Sequence, residues 1–343
     1  MATTARKAAI STLVALSIVL VALALWKIKI IIALLLLAFV ISAAMRPGVE
    51  WLARFHIPRS FGVLLHYLAL FGAIALFLAL VVPDAVSQTE AAIKAAPHST
   101  GIKHDVLTYL QKYLKRLPSA SSLIHPAINY TKTAFEVLVG IFFTFAVAAY
   151  WIFERDRAVD LFVSVLPHER RRIVRDTFWL IDLKLGAFVR GELLLILFVG
   201  TLLSFAFWLD GLPYWLLLGS FAGLVEIVPV IGPLAAGLVA IGVGLTVSWH
   251  VALGAGIAVL ALRQLEDYYV SPHVLGGAVG LSPLVVLVSV TVAGLLLGPF
   301  YVLLAIPIAV VLVTLFDVIL RNKNPAEEEV PTVIMPTKGE SKE

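Results

Sequence analysis

Glu226-Ile-Val-Pro-Val-Ile-Gly-Pro233 interrupts the most apolar part of the chain, Leu212 to Leu320. Before it lies Pro213–Val225, and after it Leu234–Ser248. Each half falls short of the roughly 20 apolar residues with which a helix crosses hydrocarbon. Two prolines and a glycine remove backbone donors and bend the chain between them. Broken helix at membrane depth persists only where it is buried in protein or lines a wet cavity. Interrupted apolar segments of this kind point to a transporter's substrate site. The break is therefore where the function is expected.

The rest of the chain agrees with a lipid solvent. Of its 343 residues, 61% are hydrophobic and 14% are charged, against about 25% charged in a soluble domain. Apolar runs cover Ala8–Trp26, Ile28–Met45, Phe61–Val82, Ala134–Phe153, Leu193–Leu209, Pro213–Val228, Leu234–Ser248, His250–Leu262, Leu284–Leu297 and Tyr301–Leu320. All read as helices, because an unpaired strand cannot exist in lipid. The expected fold is an all-α integral membrane protein with about eight transmembrane helices, ten being the other even count. Several C-terminal segments are short enough to be re-entrant half-helices. Arg6 and Lys7 followed by an apolar run imitate a signal peptide, but the run continues too far. A tight hairpin of two helices turning at Lys27-Ile-Lys29 is expected there instead.

Seventeen of the 26 Lys and Arg residues fall on one side of this arrangement when the N-terminus is placed inside, and eight on the other. The bias places both termini in the cytoplasm of a bacterial inner-membrane protein. One polytopic domain then occupies residues 1–321, and residues 322–343, rich in Pro, Lys and Glu, read as a disordered cytoplasmic tail. Two polar segments interrupt the spans. Residues 83–133 carry Ile102, Val106, Tyr109, Leu110, Tyr113, Leu114 and Leu117 at helical spacing, an amphipathic helix on the outer surface or against a neighbouring subunit. Residues 154–190 carry Arg170, Arg171, Arg172 and Arg175, a basic cytoplasmic helix suited to anionic lipid headgroups. A solvated connector is the plainer reading of that helix.

The formal charge of +4 is spread along membrane boundaries, which favours lipid over nucleic acid as a partner. There is no cysteine. No HExxH, P-loop or G-x-S-x-G pattern is present, so neither an enzyme, a cofactor nor a resident metal is indicated. His66, inside the third apolar run, reads as a helix–helix contact.

Charge inside apolar sequence is more informative, because it costs several kcal/mol unless paired or hydrated. Arg190-Gly-Glu192 opens the fifth run and reads as interfacial. Asp317 pairs at i+4 with Arg321. Glu226 stands beside the break with no charge for many residues on either side. Arg263-Gln-Leu-Glu-Asp267 allows Arg263 to pair with Glu266 or Asp267 on one helical face. The site expected from these residues is Glu226, the Pro229–Pro233 turn with Gly232, and Arg263, Gln264 and Glu266, converging on one polar cavity near the midplane. An internal salt bridge and an interfacial Glu226 are the structural alternatives.

Pro229-Val-Ile-Gly-Pro233 resembles the Pro-x-hydrophobic-Gly-Pro signature of the autoinducer-2 exporter family of bacterial membrane transporters. Gln264-Leu-Glu266 followed by Pro272 and Gly276, and Leu281-Ser-Pro283 followed by Gly294, Gly298 and Pro307, are similar to that family's next two blocks. Val230 departs from the pattern, standing where an aromatic is common, and Arg263-Gln264 is more basic than the pattern. The resemblance implies roughly eight spans and export or exchange of a small polar solute. Some members are similar to sodium/proton antiporters, so a monovalent-cation/proton antiporter with Glu226 or Glu266 titrating is the second expectation. A non-transporting membrane scaffold is the third. The expected partners are membrane lipids, a small polar solute and, for antiport, a sodium ion or proton. Gly and Trp content also allows the close packing of a homo-oligomer.

Overall fold

A computed structural model describes residues 2–95, 126–229, 231–274, 280–328 and 330. Among them there is no strand. The elements are helices α1 (Ala2–Lys27), α2 (Lys29–Ala53), α3 (Arg59–Ala95), α4 (Pro126–Ser164) and α5 (His168–Leu209), then the shorter α6 (Trp215–Val225), α7 (Ile231–Leu245) and α8 (Trp249–Leu265). A π turn at Glu266–Val270 leads into α9 (Ser271–Val274). The last described helices are α10 (Pro283–Val292), which leads through a second π turn at Ala293–Leu297 to α11 (Pro299–Val302), and α12 (Ala305–Leu320). Among the described residues four stretches are long and apolar enough to cross a bilayer: Lys29–Ala53, Arg59–Pro83, Thr133–Ser164 and His168–Leu209.

The first helices correct one expectation. α1 and α2 do not form a hairpin. Ile28 alone leaves helical geometry, at φ −99° and ψ 13°. Helical hydrogen bonds continue on both sides of it, from Ile28 N to Ala24 O and from Ile32 N to Ile28 O. Reversing a helix takes a loop of about 2–5 residues, so a single bent residue gives a kink. Lys29 instead places its ammonium over the Trp26 ring, 4.2 Å from the centroid.

α2 also runs past its expected end. Pro47 lies inside it and has no N–H for the carbonyl of Ala43. Arg190 of α5 supplies the missing donor: its Nη1 lies 3.4 Å from both Ala43 O and Ala44 O. Helix α3 likewise continues through Pro83 to Ala95, and α4 begins at Pro126. The expected amphipathic helix over 102–117 lies outside the described residues.

The basic segment 154–190 is not a separate surface helix. α4 runs on to Ser164, and α5 is one 42-residue helix from His168 to Leu209. The two form an αα-hairpin. Phe162 meets Phe178 edge-on at 5.6 Å, and Arg175 Nη2 pairs with Asp160 Oδ1 at 2.7 Å. Arg171 donates to Leu166 O and Ser164 O, closing the turn. Arg170 and Arg172 remain exposed. Deeper in, Arg155 pairs with Asp182, which Arg46 of α2 approaches at 4.0 Å.

α5 organises the bundle. Its buried stripe, Leu180, Lys184, Phe188, Glu192, Leu195, Val199, Leu203 and Phe207, with Leu185 alongside, follows three- and four-residue spacing. The first half packs with Val40 and Ala43 of α2 and with Ile306 and Val310 of α12. The second half packs with Leu218, Ala222, Ala236, Ala240 and Ala255 of α6–α8. Small residues let α5 and α6 touch: a Cβ on Gly223 would collide with Ile196 O and Gly200. His66 of α3 rests its ring on Gly48 of α2, a helix–helix contact. Gly298, at φ 111°, breaks α10 from α11 in a region other residues avoid.

The tail corrects a second expectation at its start. Asn322–Glu328 is held against the bundle, with Pro325 below 2% exposure and Lys323 Nζ 2.5 Å from Asp317 Oδ2. Asp317 also pairs with Arg321 at 3.1 Å.

Candidate functional site

α6 ends because the sequence ends it. Glu226 is its C-cap, and Pro229 cannot donate to Val225, whose carbonyl accepts from Val228 N at 3.0 Å instead. α7 restarts at Ile231, and Pro233 sits in its first turn, where a missing N–H costs little. The turn is tight. A Cβ on Gly232 would strike the Val225 carbonyl, so the two half-helices can approach only because residue 232 is glycine.

That turn delivers Glu226 to the end of α8. Glu226 Oε1 lies 3.1 Å from Arg263 Nη1, and the same nitrogen lies 3.2 Å from Glu266 Oε2. Arg263 Nη2 and Nε reach Asp267 at 2.9 and 3.1 Å. Ser271 Oγ lies 3.5 Å from Glu266 Oε1. Glu226 and Glu266 are 6% and 5% exposed. Glu266 opens a π turn, a local widening that recurs at functional sites. Arg263 sits in the last turn of α8, where the helix dipole favours a cation.

Glu226, Arg263 and Glu266, with Pro233, line a small open recess whose enclosed part has room for about one water. Apolar side chains of α5–α8, among them Val199, Ala236 and Leu262, make the remaining wall. Of the residues expected at the site, these four face one space. Pro229 and Gly232 shape the turn. Gln264 is exposed and does not join them. Arg170, Arg171, Arg172 and Arg175 lie at the start of α5, remote from the recess along the helix.

One residue read as interfacial belongs to this place. Glu192 of α5 is 8% exposed and within electrostatic range of both Glu226 and Glu266. Among the described residues no ion pair or hydrogen bond holds its carboxylate. Its signal in the sequence was the Arg190-Gly-Glu192 triplet, but only the packing of α5 on α6 brings it to the break. Glu226, Glu266 and Asp267 share one guanidinium, Glu192 lies near the first two without a base of its own, and the local balance among the described residues is negative. Among the described residues no three acidic or His side chains converge closely enough to hold a metal ion.

A multi-pass, all-helical membrane protein with a buried charge cluster at a broken helix is the class this arrangement defines. A family model described as AI-2E family transporter matches residues 13–321, and the chain belongs to that family. Three curated relatives are named as candidate transport proteins. YrrI of Bacillus subtilis (strain 168) is 26% identical over 79% of this chain and 81% of its own length. YueF of the same strain is 28% identical over 76% of each chain. MT0215 of Mycobacterium tuberculosis (strain CDC 1551 / Oshkosh) is 26% identical over 79% of this chain and 78% of its own.

Proposed function

We propose that the chain is a secondary transporter that exports or exchanges a small hydrophilic metabolite or signalling molecule across the bacterial inner membrane. The observation that carries this reading is the buried Glu226–Arg263–Glu266 cluster at the junction of three short helices. Its polar groups are spent on no structural ladder, and a solute or ion entering the recess meets both signs of charge. Pro229 and Pro233 weaken the helix there, so the junction can rearrange at small cost.

The excess of carboxylates over bases favours a second reading, monovalent-cation/proton antiport. A carboxylate such as Glu192, buried without a base, needs a proton, a cation or water. Membrane lipids are proposed to bathe the exposed Leu, Ile and Val faces of α3 and α4, and to meet Arg170 and Arg172 at their headgroups. The end of the bundle that holds Arg46, Arg155, the start of α5 and the tail is proposed to face the cytoplasm.

Purified protein in liposomes separates the readings. Metabolite efflux without pH coupling supports the first. A trapped pH dye that responds to a sodium gradient supports the second. Absence of any flux from correctly inserted protein defeats both and leaves a scaffold.

A further inference from the structure

A second buried constellation lies near the start of α5, away from the recess. Lys184 sits on the buried stripe beside Leu180, Leu185 and Phe188, with 5% of its side chain exposed. Its Nζ meets Glu328 Oε1 at 2.6 Å and Thr314 Oγ1 of α12 at 3.5 Å. Among the described residues Glu328 is its one carboxylate partner.

Glu328 is not part of the bundle. It comes on the tail, which is fastened at three points before it. Arg321 and Lys323 both hold Asp317. Pro325 is buried. Asn324 accepts from Ala326 N at 3.2 Å and donates to Glu327 at 2.8 Å, shaping the turn that presents Glu328. The Glu328 side chain is 31% exposed, so the carboxylate enters a site that opens to the surface on the tail side.

We propose that Lys184 and Thr314 form a carboxylate-binding site that the chain's own Glu328 fills, and that a free small carboxylate can take its place and release the tail. A lysine buried among leucines cannot stay charged and unpaired without large cost. If the tail lifts, the ammonium requires another anion. A single ammonium with one hydroxyl beside it suits a monodentate carboxylate, since it lacks the planar fork of arginine. The tail is therefore a strap whose fastening depends on the competing carboxylates in solution.

The chain has no cysteine, so Val330→Cys, two residues beyond Glu328 and partly exposed, gives a single attachment point for a nitroxide label on the full-length protein. The label is expected to be immobilised in the parent and mobile after Glu328→Gln, a change on the tail that does not touch the core. Succinate titrated into the parent is expected to mobilise the label, and sodium chloride at matched ionic strength is not. The succinate arm reads the free ligand and the Glu328→Gln arm reads the tail's own carboxylate. An unchanged line shape in Glu328→Gln overturns the fastening by Lys184. A parent that ignores succinate while Glu328→Gln is mobile overturns the exchange with free carboxylate.

Discussion

Replacing Arg263 with Gln removes the one cation that, among the described residues, pairs with the carboxylates of the cluster. Arg263 Nη1 reaches Glu226 at 3.1 Å and Glu266 at 3.2 Å, and both carboxylates are buried. At an effective dielectric constant of about 20, each such pair attracts by roughly 5 kcal/mol before desolvation is counted. Breaking one buried pair by deleting a partner costs about 3–5 kcal/mol. Arg263 is 27% exposed on its side chain, and water at the mouth screens part of the gain, so about 3 kcal/mol is expected for the single change. Glu226→Gln added to Arg263→Gln removes one of the stranded charges. The double variant should therefore be more stable than Arg263→Gln alone. Thermal unfolding in detergent, followed by tryptophan fluorescence from the seven Trp residues, reads the cycle. Strictly additive losses would show that the two side chains do not interact, and the electrostatic description of the recess would fail.

Arg190→Gln should cost about 1–3 kcal/mol by leaving the Ala43 carbonyl without a donor, and the loss should shrink when Pro47→Ala restores the helical N–H; equal losses in both backgrounds would refute the compensation. Gly232→Ala should destabilise by about 1–3 kcal/mol through the clash with the Val225 carbonyl, and a melting temperature at the parental value would show that the turn has room. Arg170→Gln with Arg172→Gln should weaken vesicle binding of anionic lipid by about 1 kcal/mol per charge, and unchanged binding would leave this part of α5 as a solvated connector. A cysteine at Asp160 should resist an impermeant reagent in intact cells; labelling there would invert the proposed orientation.

Much of the architecture was legible as hydrophobic length, because lipid leaves helices as the one answer for a long apolar run. Arg263 with Glu266 and Asp267 was legible because i+3 and i+4 spacing is enough to pair them. Glu226 was visible as a charge beside a Pro/Gly break. Its partner Arg263 lies 37 positions away, and folding of α6–α8 is what brings the two together. Glu192 could not be placed, since its neighbours come through the Gly200–Gly223 crossing of α5 and α6. The Lys27-Ile-Lys29 step misled because two lysines in an apolar run look like a polar loop. In the structure they flank one bent residue and remain helical. Gln264 misled in the opposite sense: adjacent in sequence to Arg263, it lies about 100° round the helix and faces outward. Lys184 gave no warning, because a lone lysine in the basic segment 154–190 reads as solvated until the tail covers it.

The claim that the recess carries transport is tested most directly by Glu226→Gln and Glu266→Gln in proteoliposomes. Each substitution keeps the shape of the side chain and removes its charge. Insertion and melting temperature establish that the variants are folded, and flux is then measured for whichever solute or ion the parent carries. Loss of flux, or a changed pH dependence, in at least one folded variant is the predicted result. Parental rates and parental pH dependence in both would contradict the account and move the transport site away from the broken helix.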